Sequence, residues 1–197
     1  MYKIRLATGD DAKEIKEVYS PFVSLTAISS ESVVPREYEI KRRINTITNT
    51  HPWLVCEIDG KIAGYAYANK LSRGTAYTWT CELSVYVRED YQRCNIASAL
   101  YYALIEILTL QGFYSAIARV TLPNDKSISF HRAFGFNHSG ILHRSIYKLG
   151  EWHDVAYFEK MLPQDFPQPT EIIPIKEFNA SKLSEIFSKA EKIVRIR

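Results

Sequence analysis

The sequence YTWTCELSVYVREDYQRCNIA, residues 77–97, joins a strand pattern to the start of a helix. Its first part, Tyr77–Val87, alternates between two sets of side chains, and successive residues of a strand point to opposite faces. The apolar face comprises Trp79, Cys81, Leu83, Val85 and Val87. The opposite face comprises Thr78, Thr80, Glu82, Ser84 and Tyr86. The stretch therefore predicts a long strand followed by a polar loop.

A helix follows this loop and makes it a candidate anion site. Residues Ser98–Gln111 have an apolar stripe at helical spacing, and Gly112 is typical of the position after a helix end. The first N–H groups of a helix lack partners within it, and the helix dipole favours negative charge there. The loop Arg88–Ala97 can therefore hold a pyrophosphate. The alternative is an ordinary strand–loop–helix turn in which Gln92 and Arg93 are solvated.

The residues before this stretch predict a strand, two helices and a hairpin. The second helix is predicted to begin at Pro35, because proline is favoured in the first position of a helix. In the hairpin, Asp59-Gly60 is a strong signal for a two-residue turn. The elements are a strand at Lys3–Ala7, a helix with apolar positions from Ala12 to Phe22, the helix from Pro35, and strands at Trp53–Ile58 and Lys61–Ala68.

The residues after Gly112 predict a strand, a short helix, a second hairpin and a last helix. Asn124 is a suitable N-cap for the short helix. Four prolines mark a linker before the last helix: Pro163, Pro167, Pro169 and Pro174. The elements are a strand at Tyr114–Leu122, the helix Asp125–Phe134, the strands Gly140–Lys148 and Glu151–Leu162, and the helix Ala180–Val194.

Helices interspersed among mixed strands predict a layered α/β fold with a partly antiparallel sheet. We expect a main domain at residues 1–165, followed at 166–197 by the proline-rich linker and an amphipathic helix. That helix has an apolar stripe including Leu183, Ile186 and Ala190. A stripe of this kind must be buried, either on its own domain or on a second subunit, and we expect a homodimer.

Composition excludes several classes of function. The 197 residues have a formal net charge of only +3 and no basic run, which argues against nucleic-acid binding. The sequence contains no run of 18 apolar residues, so it predicts no membrane span. The first residues lack the apolar core of a signal peptide. The three cysteines show no C-x-x-C spacing, so we expect reduced thiols, no cysteine-based zinc site and a cytoplasmic protein.

The order of elements and several motifs resemble the GNAT N-acetyltransferases. Their acetyl-CoA loop has the pattern Q/R-x-x-G-x-G/A, which Gln92–Ala97 matches at its first and last positions. Other stretches look like the phosphinothricin and methionine sulfoximine N-acetyltransferases, in collinear order over about residues 3–175. They include HPWLV at 51–55, AGYAYA at 63–68, AYTWTCELSVYV at 76–87, LPND at 122–125 and GEWHDV at 150–155.

This resemblance implies a mostly antiparallel sheet with flanking helices, in which two parallel strands splay apart to admit acetyl-CoA as co-substrate, with no metal. Those strands would be Tyr77–Val87 and Tyr114–Leu122. The first glycine of the family's loop is Asn95 here; asparagine tolerates the left-handed conformation, but its side chain could crowd the pyrophosphate. The implied acetyl-CoA residues are Ser84, Val85, Tyr86, Val87, Gln92, Arg93, Cys94, Asn95, Ile96, Ala97, Ser98 and Asn124.

Glu82 is the main catalytic candidate, because a carboxylate in the middle of an apolar and aromatic strand is costly without a purpose or a partner. Amines arrive protonated at neutral pH, so acetyl transfer to an amine needs a base. The resemblance places the family's catalytic glutamate at Glu82 and an assisting histidine at His131. The alternatives are a solvated Glu82 at the edge of the sheet and a structural His131.

The expected acceptor is a small amino-acid-like amine. We expect its pocket to be formed by the connection Ser24–Val34, the loop Asn69–Tyr77 and the last hairpin. The expected lining residues are Tyr67, Tyr77, Trp79 and Tyr86, and Arg73 is expected to bind a substrate carboxylate. A protein N-terminus or a polyamine is the alternative acceptor. A non-catalytic acyl-CoA-binding module is the alternative class of function, suggested by Asn95 and the extra C-terminal helix.

Overall fold

The computed structural model describes residues 2–163 and 168–195. Its strands are β1 (Tyr2–Leu6), β2 (Trp53–Ile58), β3 (Lys61–Lys70), β4 (Thr80–Val87), β5 (Ser115–Thr121), β6 (Asn137–Lys148) and β7 (Glu151–Met161). Its helices are α1 (Ala12–Ser24), α2 (Glu37–Ile47), α3 (Ile96–Gln111), α4 (Asp125–Ala133) and α5 (Ala180–Glu191). The order of helices and strands agrees with the order that the sequence predicts.

The described strands form one seven-stranded sheet in the order β1-β2-β3-β4-β5-β7-β6. Every neighbouring pair is antiparallel except β4 and β5, which are parallel. The predicted layered fold with a mostly antiparallel sheet is therefore confirmed. No helix in the described part of the chain is both long and apolar enough to cross a membrane.

The two parallel strands stay together only at their first residues. Thr80–Glu82 pairs with Ser115–Ile117, and β4 then continues to Val87 while β5 continues to Thr121 beyond that pairing. The central sheet is thus split by a V-shaped gap that opens toward the carboxyl ends of β4 and β5. This gap is the feature of the fold that positions the candidate site.

Several predicted boundaries are wrong by two or three residues, each for a local reason. Tyr77 is not in a strand: Thr75–Tyr77 forms a 3-10 turn, and the Thr78 hydroxyl donates to the Thr75 carbonyl at 2.6 Å, so β4 begins only at Thr80. Pro35 does not begin α2. The N-cap is Arg36, whose N–H donates to the Glu39 carboxylate at 2.7 Å.

The sheet separates two apolar cores. Helices α1 and α2 cover β2 and β3 on one face, with Ile15, Val18, Ile40 and Ile44 almost completely buried. Helices α3 and α5 cover the other face, where the larger core lies. Burial of this kind stabilises each side chain by about 1.5–3 kcal/mol and fixes which face of the sheet each strand residue occupies.

The C-terminal helix packs on its own chain. Leu183, Ile186 and Ala190 of α5 are buried in the larger core against α3 and β1. The interpretation of this stripe as a dimer element is therefore wrong, because its apolar face is already covered. The expected boundary between residues 165 and 166 and the linker residue Pro167 lie outside the described residues.

Candidate active site

The loop before α3 makes a tight turn directly at the start of the helix. Arg93 and Asn95 both have left-handed conformations, with φ of 66° and 56°, and α3 starts immediately afterwards at Ile96. Asn95 thus makes the left-handed turn at the position where the acetyl-CoA loop pattern has its first glycine. Asparagine tolerates this conformation better than most residues do. The first N–H groups of α3 lie at this turn without partners of their own in the helix.

The open end of β4 lies close to this loop. A Cβ atom on Gly64 of β3 would lie 2.9 Å from the Tyr86 carbonyl oxygen and 3.2 Å from Ile96 Cγ2, so only glycine allows β3 to approach β4 and α3 this closely. Along Leu83–Val87, main-chain groups alternate between the β3 edge and the gap. The gap is therefore lined by peptide N–H and C=O groups that β5 does not reach.

Glu82 lies at the closed end of the gap and is paired with Arg119 of β5. The guanidinium donates to Glu82 Oε1 from Nε at 2.7 Å and from Nη2 at 2.6 Å. The Glu82 side chain is 19% exposed, which is accessible enough for a proton or a water but not freely solvated. Burial acts to lower the pKa of Arg119, but the charge and hydrogen bond of Glu82 prevail and raise it.

Strand register places Glu82 on the same face as an aromatic pocket. Glu82 lies opposite Asn69, and Ser84 lies opposite Tyr67, in the antiparallel pair of β3 and β4. Residues directly opposite each other point to the same side of a sheet. The Tyr67 hydroxyl also forms a hydrogen bond with Ser84, and burial is the largest cause of the raised pKa of Tyr67.

A cavity of about 290 Å³ lies between this face and helices α1 and α2. Its walls combine aromatic and aliphatic side chains with one ion pair. The lining residues are Ile15, Tyr19, Glu31, Ile40, Arg43, Ile47, Trp53, Tyr65, Tyr67 and Asn69. Tyr67, one of the expected substrate residues, lines this cavity on the face of the sheet that Glu82 shares. The size suits a small molecule rather than a folded partner.

The ion pair in this pocket joins Glu31 of the α1–α2 connection to Arg43 of α2. Arg43 Nη1 donates to Glu31 Oε1 at 2.5 Å, and the Tyr19 hydroxyl approaches the same oxygen at 3.3 Å. Lys148 of β6 is buried and donates to the Ser29 carbonyl at 2.7 Å, which fixes the connection to the last hairpin. Sequence reasoning missed Glu31, Arg43 and Lys148, because their partners are 12 to 119 residues away.

Arg73 and Tyr77 lie apart from Tyr67. They line a second cavity of about 170 Å³, together with His51 and Lys70, at the loop between β3 and β4. His51 is 4% exposed, and burial, with a smaller effect of Lys70, lowers its pKa to about 4. The expected substrate residues are therefore divided between two cavities.

His131 lies on the opposite side of the sheet from Glu82. Its ring is 5% exposed among Phe130, Phe136 and Phe158, and burial lowers its pKa. Nδ1 is 2.7 Å from the Ser127 carbonyl, which only accepts, so Nδ1 carries the proton. Nε2 then accepts from the Tyr101 hydroxyl at 3.0 Å. Both nitrogens are therefore engaged within the core.

Asn124 caps α4. Its side-chain oxygen accepts from the Ser127 N–H at 3.1 Å, as expected of an N-cap. Asn124 comes directly after Pro123, shortly beyond the end of β5. In the described residues no group of three or more His, Cys, Asp or Glu side chains is arranged to hold a metal ion. Cys56, Cys81 and Cys94 are all free thiols.

Comparison with known families gives a match over most of this architecture. The family model described as the acetyltransferase (GNAT) domain matches residues 4–157. That range begins in β1 and ends in β7, so it includes the pairing of β4 with β5, Glu82, the loop before α3 and all residues of the 290 Å³ cavity. The segment containing α5 lies outside it.

Individual relatives agree with the family match. A phosphinothricin N-acetyltransferase of Streptomyces viridochromogenes is 34% identical over 178 residues, which cover 88% of this chain and 93% of the relative. An L-methionine sulfoximine/L-methionine sulfone acetyltransferase of Pseudomonas aeruginosa is 33% identical over 79% of this chain and 92% of its own. The crystal structure of a phosphinothricin acetyltransferase from Sinorhizobium meliloti in complex with acetyl-CoA superimposes with a TM-score of 0.83, at 32% identity over 88% of this chain and 96% of that chain.

Proposed function

The chain belongs to the GNAT acetyltransferase family, and on that premise we propose that it transfers the acetyl group of acetyl-CoA to the amino group of a small amino-acid-like acceptor of the phosphinothricin or methionine sulfoximine type. The observation that supports this most directly is the position of Glu82. It lies at the closed end of the gap between β4 and β5, on the same face as the 290 Å³ pocket.

We propose that acetyl-CoA enters through the gap and the loop. Its pantetheine arm would pair with the free main-chain groups of Ser84, Val85, Tyr86 and Val87, as an added strand does. Its pyrophosphate would meet the N–H groups of the loop and the first turn of α3. The loop residues concerned are Gln92, Arg93, Cys94, Asn95, Ile96, Ala97 and Ser98. The left-handed Arg93 and Asn95 turn the chain sharply before α3, which supports placing an anion at the start of that helix.

The proposed mechanism is direct attack of the amine nitrogen on the thioester carbonyl carbon in a ternary complex, which would form the C–N bond and break the C–S bond, so that CoA leaves as a thiolate. Forming the neutral amine at pH 7 costs roughly 1 to 5 kcal/mol, and Glu82 would accept the proton, directly or through water. Arg119 holds Oε1, so Oε2 is the atom we propose for the proton. A main-chain N–H of β4 at the gap would polarise the thioester carbonyl.

We propose that the acceptor lies against Tyr67 in the 290 Å³ pocket. The Glu31–Arg43 pair gives that pocket one group of each charge, which suits an acceptor with both an ammonium and a carboxylate. Arg73 of the second cavity remains a proposed contact for a substrate carboxylate, and Tyr77 beside it remains a proposed lining residue of the acceptor site. His131 remains a proposed assisting residue, and its engaged nitrogens favour a role in positioning α4 over direct proton transfer.

We also propose that the enzyme is a homodimer through the β6–β7 hairpin. Strand β6 is the outer strand of the sheet, and most of its twelve residues are exposed. Large apolar side chains of the hairpin are at least half exposed: Leu142, Tyr147, Leu149 and Trp152. A long exposed edge strand with such neighbours favours association with a second chain.

A two-stage experiment tests this proposal. Acetyl-CoA is first titrated by calorimetry, and CoA release is then measured with phosphinothricin, methionine sulfoximine, a polyamine and a peptide N-terminus as acceptors. We expect saturable binding, with turnover greatest for the two amino-acid analogues. Preference for the peptide or the polyamine would replace the proposed acceptor. Binding without turnover on any amine would support a non-catalytic acyl-CoA-binding module instead.

A further inference from the structure

The segment after β7 contacts both ends of α3. At the C-terminal end of α3, the Ile173 N–H donates to the Gln111 carbonyl at 2.9 Å. The Gln111 side chain returns the contact, with Nε2 donating to the Ile173 carbonyl at 2.6 Å and to the Thr50 carbonyl at 2.9 Å. Gln111 is completely buried, so these bonds fix where the segment begins.

From there α5 runs beside α3 toward the start of that helix. Ala190 is completely buried and Val194 is 5% exposed, both in the core that α3 shares. Glu191 accepts from the Ile4 N–H of the edge strand β1 at 2.9 Å, which ties the helix to the sheet as well. The end of the segment is therefore held in one place next to the first turn of α3.

The last contact of this segment is with the loop itself. The Arg195 N–H donates to the Cys94 carbonyl at 2.9 Å. Cys94 lies between Arg93 and Asn95, which are both left-handed. Conformations of this kind persist only where the surrounding structure holds them, and the bond from Arg195 holds the peptide between them.

We propose that the C-terminal segment, residues 170–195, is a positioning element for acetyl-CoA, acting through the main-chain bond from Arg195 to Cys94. This inference rests on the proposed function of the loop. By holding the Cys94 carbonyl, the segment keeps the N–H groups around it turned toward the ligand. Binding then costs less conformational entropy, because the loop is already ordered. The family model ends at residue 157, so the positioning element lies outside the domain that this model matches.

Main-chain and side-chain effects are separated by a matched pair of variants. Arg195→Pro removes the N–H donor, and Arg195→Ala retains it while removing the guanidinium. We expect Arg195→Pro to raise the dissociation constant and the KM for acetyl-CoA roughly three- to tenfold, as for loss of one hydrogen bond. We expect kcat and the acceptor KM to stay within twofold of wild type, and Arg195→Ala to bind acetyl-CoA within twofold of wild type.

Two results would overturn the inference. One is an unchanged dissociation constant in Arg195→Pro. The other is an equal loss in Arg195→Ala, which would assign the effect to the side chain. A merely structural role would lower the active fraction and kcat without changing the KM for acetyl-CoA. Failure of the wild-type chain to bind acetyl-CoA is a separate outcome, and it would overturn the proposed function itself.

A second measurement needs no variant and decides the matter if Arg195→Pro does not fold. Coupling between two sites is reciprocal, so a segment that favours acetyl-CoA binding must itself be stabilised by acetyl-CoA. We expect hydrogen exchange of a peptide covering residues 188–195 in the wild-type chain to slow several-fold on saturation with acetyl-CoA. Unchanged exchange in that peptide, with protection at residues 92–98, would overturn the inference.

Discussion

Glu82 owes its orientation to Arg119, and sequence reasoning identified the glutamate but not this partner. The sequence singled out Glu82 because a carboxylate is unusual in the middle of such a strand. Arg119 is 37 residues further on, in the parallel partner strand, and both of its bonds go to Oε1. Pairings of this kind depend on strand register, which a single sequence does not reveal.

Asn95 shows what local residue type can and cannot predict. Its tolerance of the left-handed conformation follows from its short polar side chain, and its φ of 56° agrees. The left-handed Arg93 was not predicted, because arginine has no such preference. The left-handed conformation of Asn95, which follows from its own residue type, could thus be predicted from the sequence. That of Arg93, which its neighbours impose, could not.

Replacing Asn95 tests the loop. Asn95→Gly keeps the left-handed turn and removes the side chain near the proposed pyrophosphate, so we expect acetyl-CoA to bind about two- to threefold more tightly. Asn95→Ala disfavours the turn by about 1 kcal/mol and should weaken binding about fivefold. Calorimetric titration measures both. Weaker binding in the glycine variant would show instead that the Asn95 side chain contacts the ligand favourably.

His51 predicts a specific dependence of stability on pH. Burial lowers its pKa to about 4 in the folded chain, below the ordinary value of 6.5 that applies when unfolded. The unfolded chain therefore takes up a proton first, and stability is lost as pH falls from about 6.5 to about 4. The loss from this residue amounts to about 3 kcal/mol.

Urea unfolding at pH 7 and pH 4.5 measures this effect. His51→Gln should show a smaller fall in the free energy of unfolding between these pH values than wild type, while His138→Gln, on an exposed residue, should follow wild type. The difference between variants is needed because buried His131 also has a lowered pKa. An identical fall in wild type and His51→Gln would contradict the assignment.

At the scale of the element, the sequence identified α5 by its stripe but not the surface that covers it. Amphipathic periodicity indicates that a face is buried and says nothing about which chain buries it. In the structure, α3 and β1 of the same chain cover the apolar face of α5. The wrong start of β4 has a similar origin, because the alternation of residues 77–79 is compatible with a strand although local bonds form a turn.

Truncation within α5 tests this packing. Ile186 is 5% exposed in the core beside α3, so Ile186→Ala should lower the free energy of unfolding by about 2–4 kcal/mol. Ser184→Ala, two residues earlier on the exposed face, should stay within about 0.5 kcal/mol of wild type. Urea unfolding measures both. Equal stability of the two variants would mean that α5 is detached from the core in solution.

At the scale of the whole molecule, the order of elements and the family resemblance were sufficient to predict the split, mostly antiparallel sheet. The order β-α-α-β-β-β-α-β-α-β-β restricts the arrangement strongly, and the motifs lie mainly in β2, β3, β4 and β7 and in the loops that follow β5 and precede α3. The pockets were predicted less well. Each combines side chains from distant parts of the chain, such as Glu31 with Arg43 and Arg73 with His51.

The proposed dimer is a property of the whole molecule and has its own test. Trp152 is 59% exposed on the β6–β7 hairpin, so Trp152→Lys should weaken self-association at least tenfold by sedimentation velocity. Leu110→Lys changes an apolar residue on α3 that is 48% exposed, and it should leave the dimer intact. If both variants associate like wild type, the hairpin is not the interface.

The most direct test of the central claim is the turnover of Glu82→Gln at pH 7 with both substrates saturating. Glutamine keeps the shape of the side chain and removes the base. We predict that kcat falls by roughly 10²–10⁴-fold, while the acetyl-CoA dissociation constant stays within about twofold of wild type. A kcat close to that of wild type would contradict the claim that Glu82 accepts the proton of the amine.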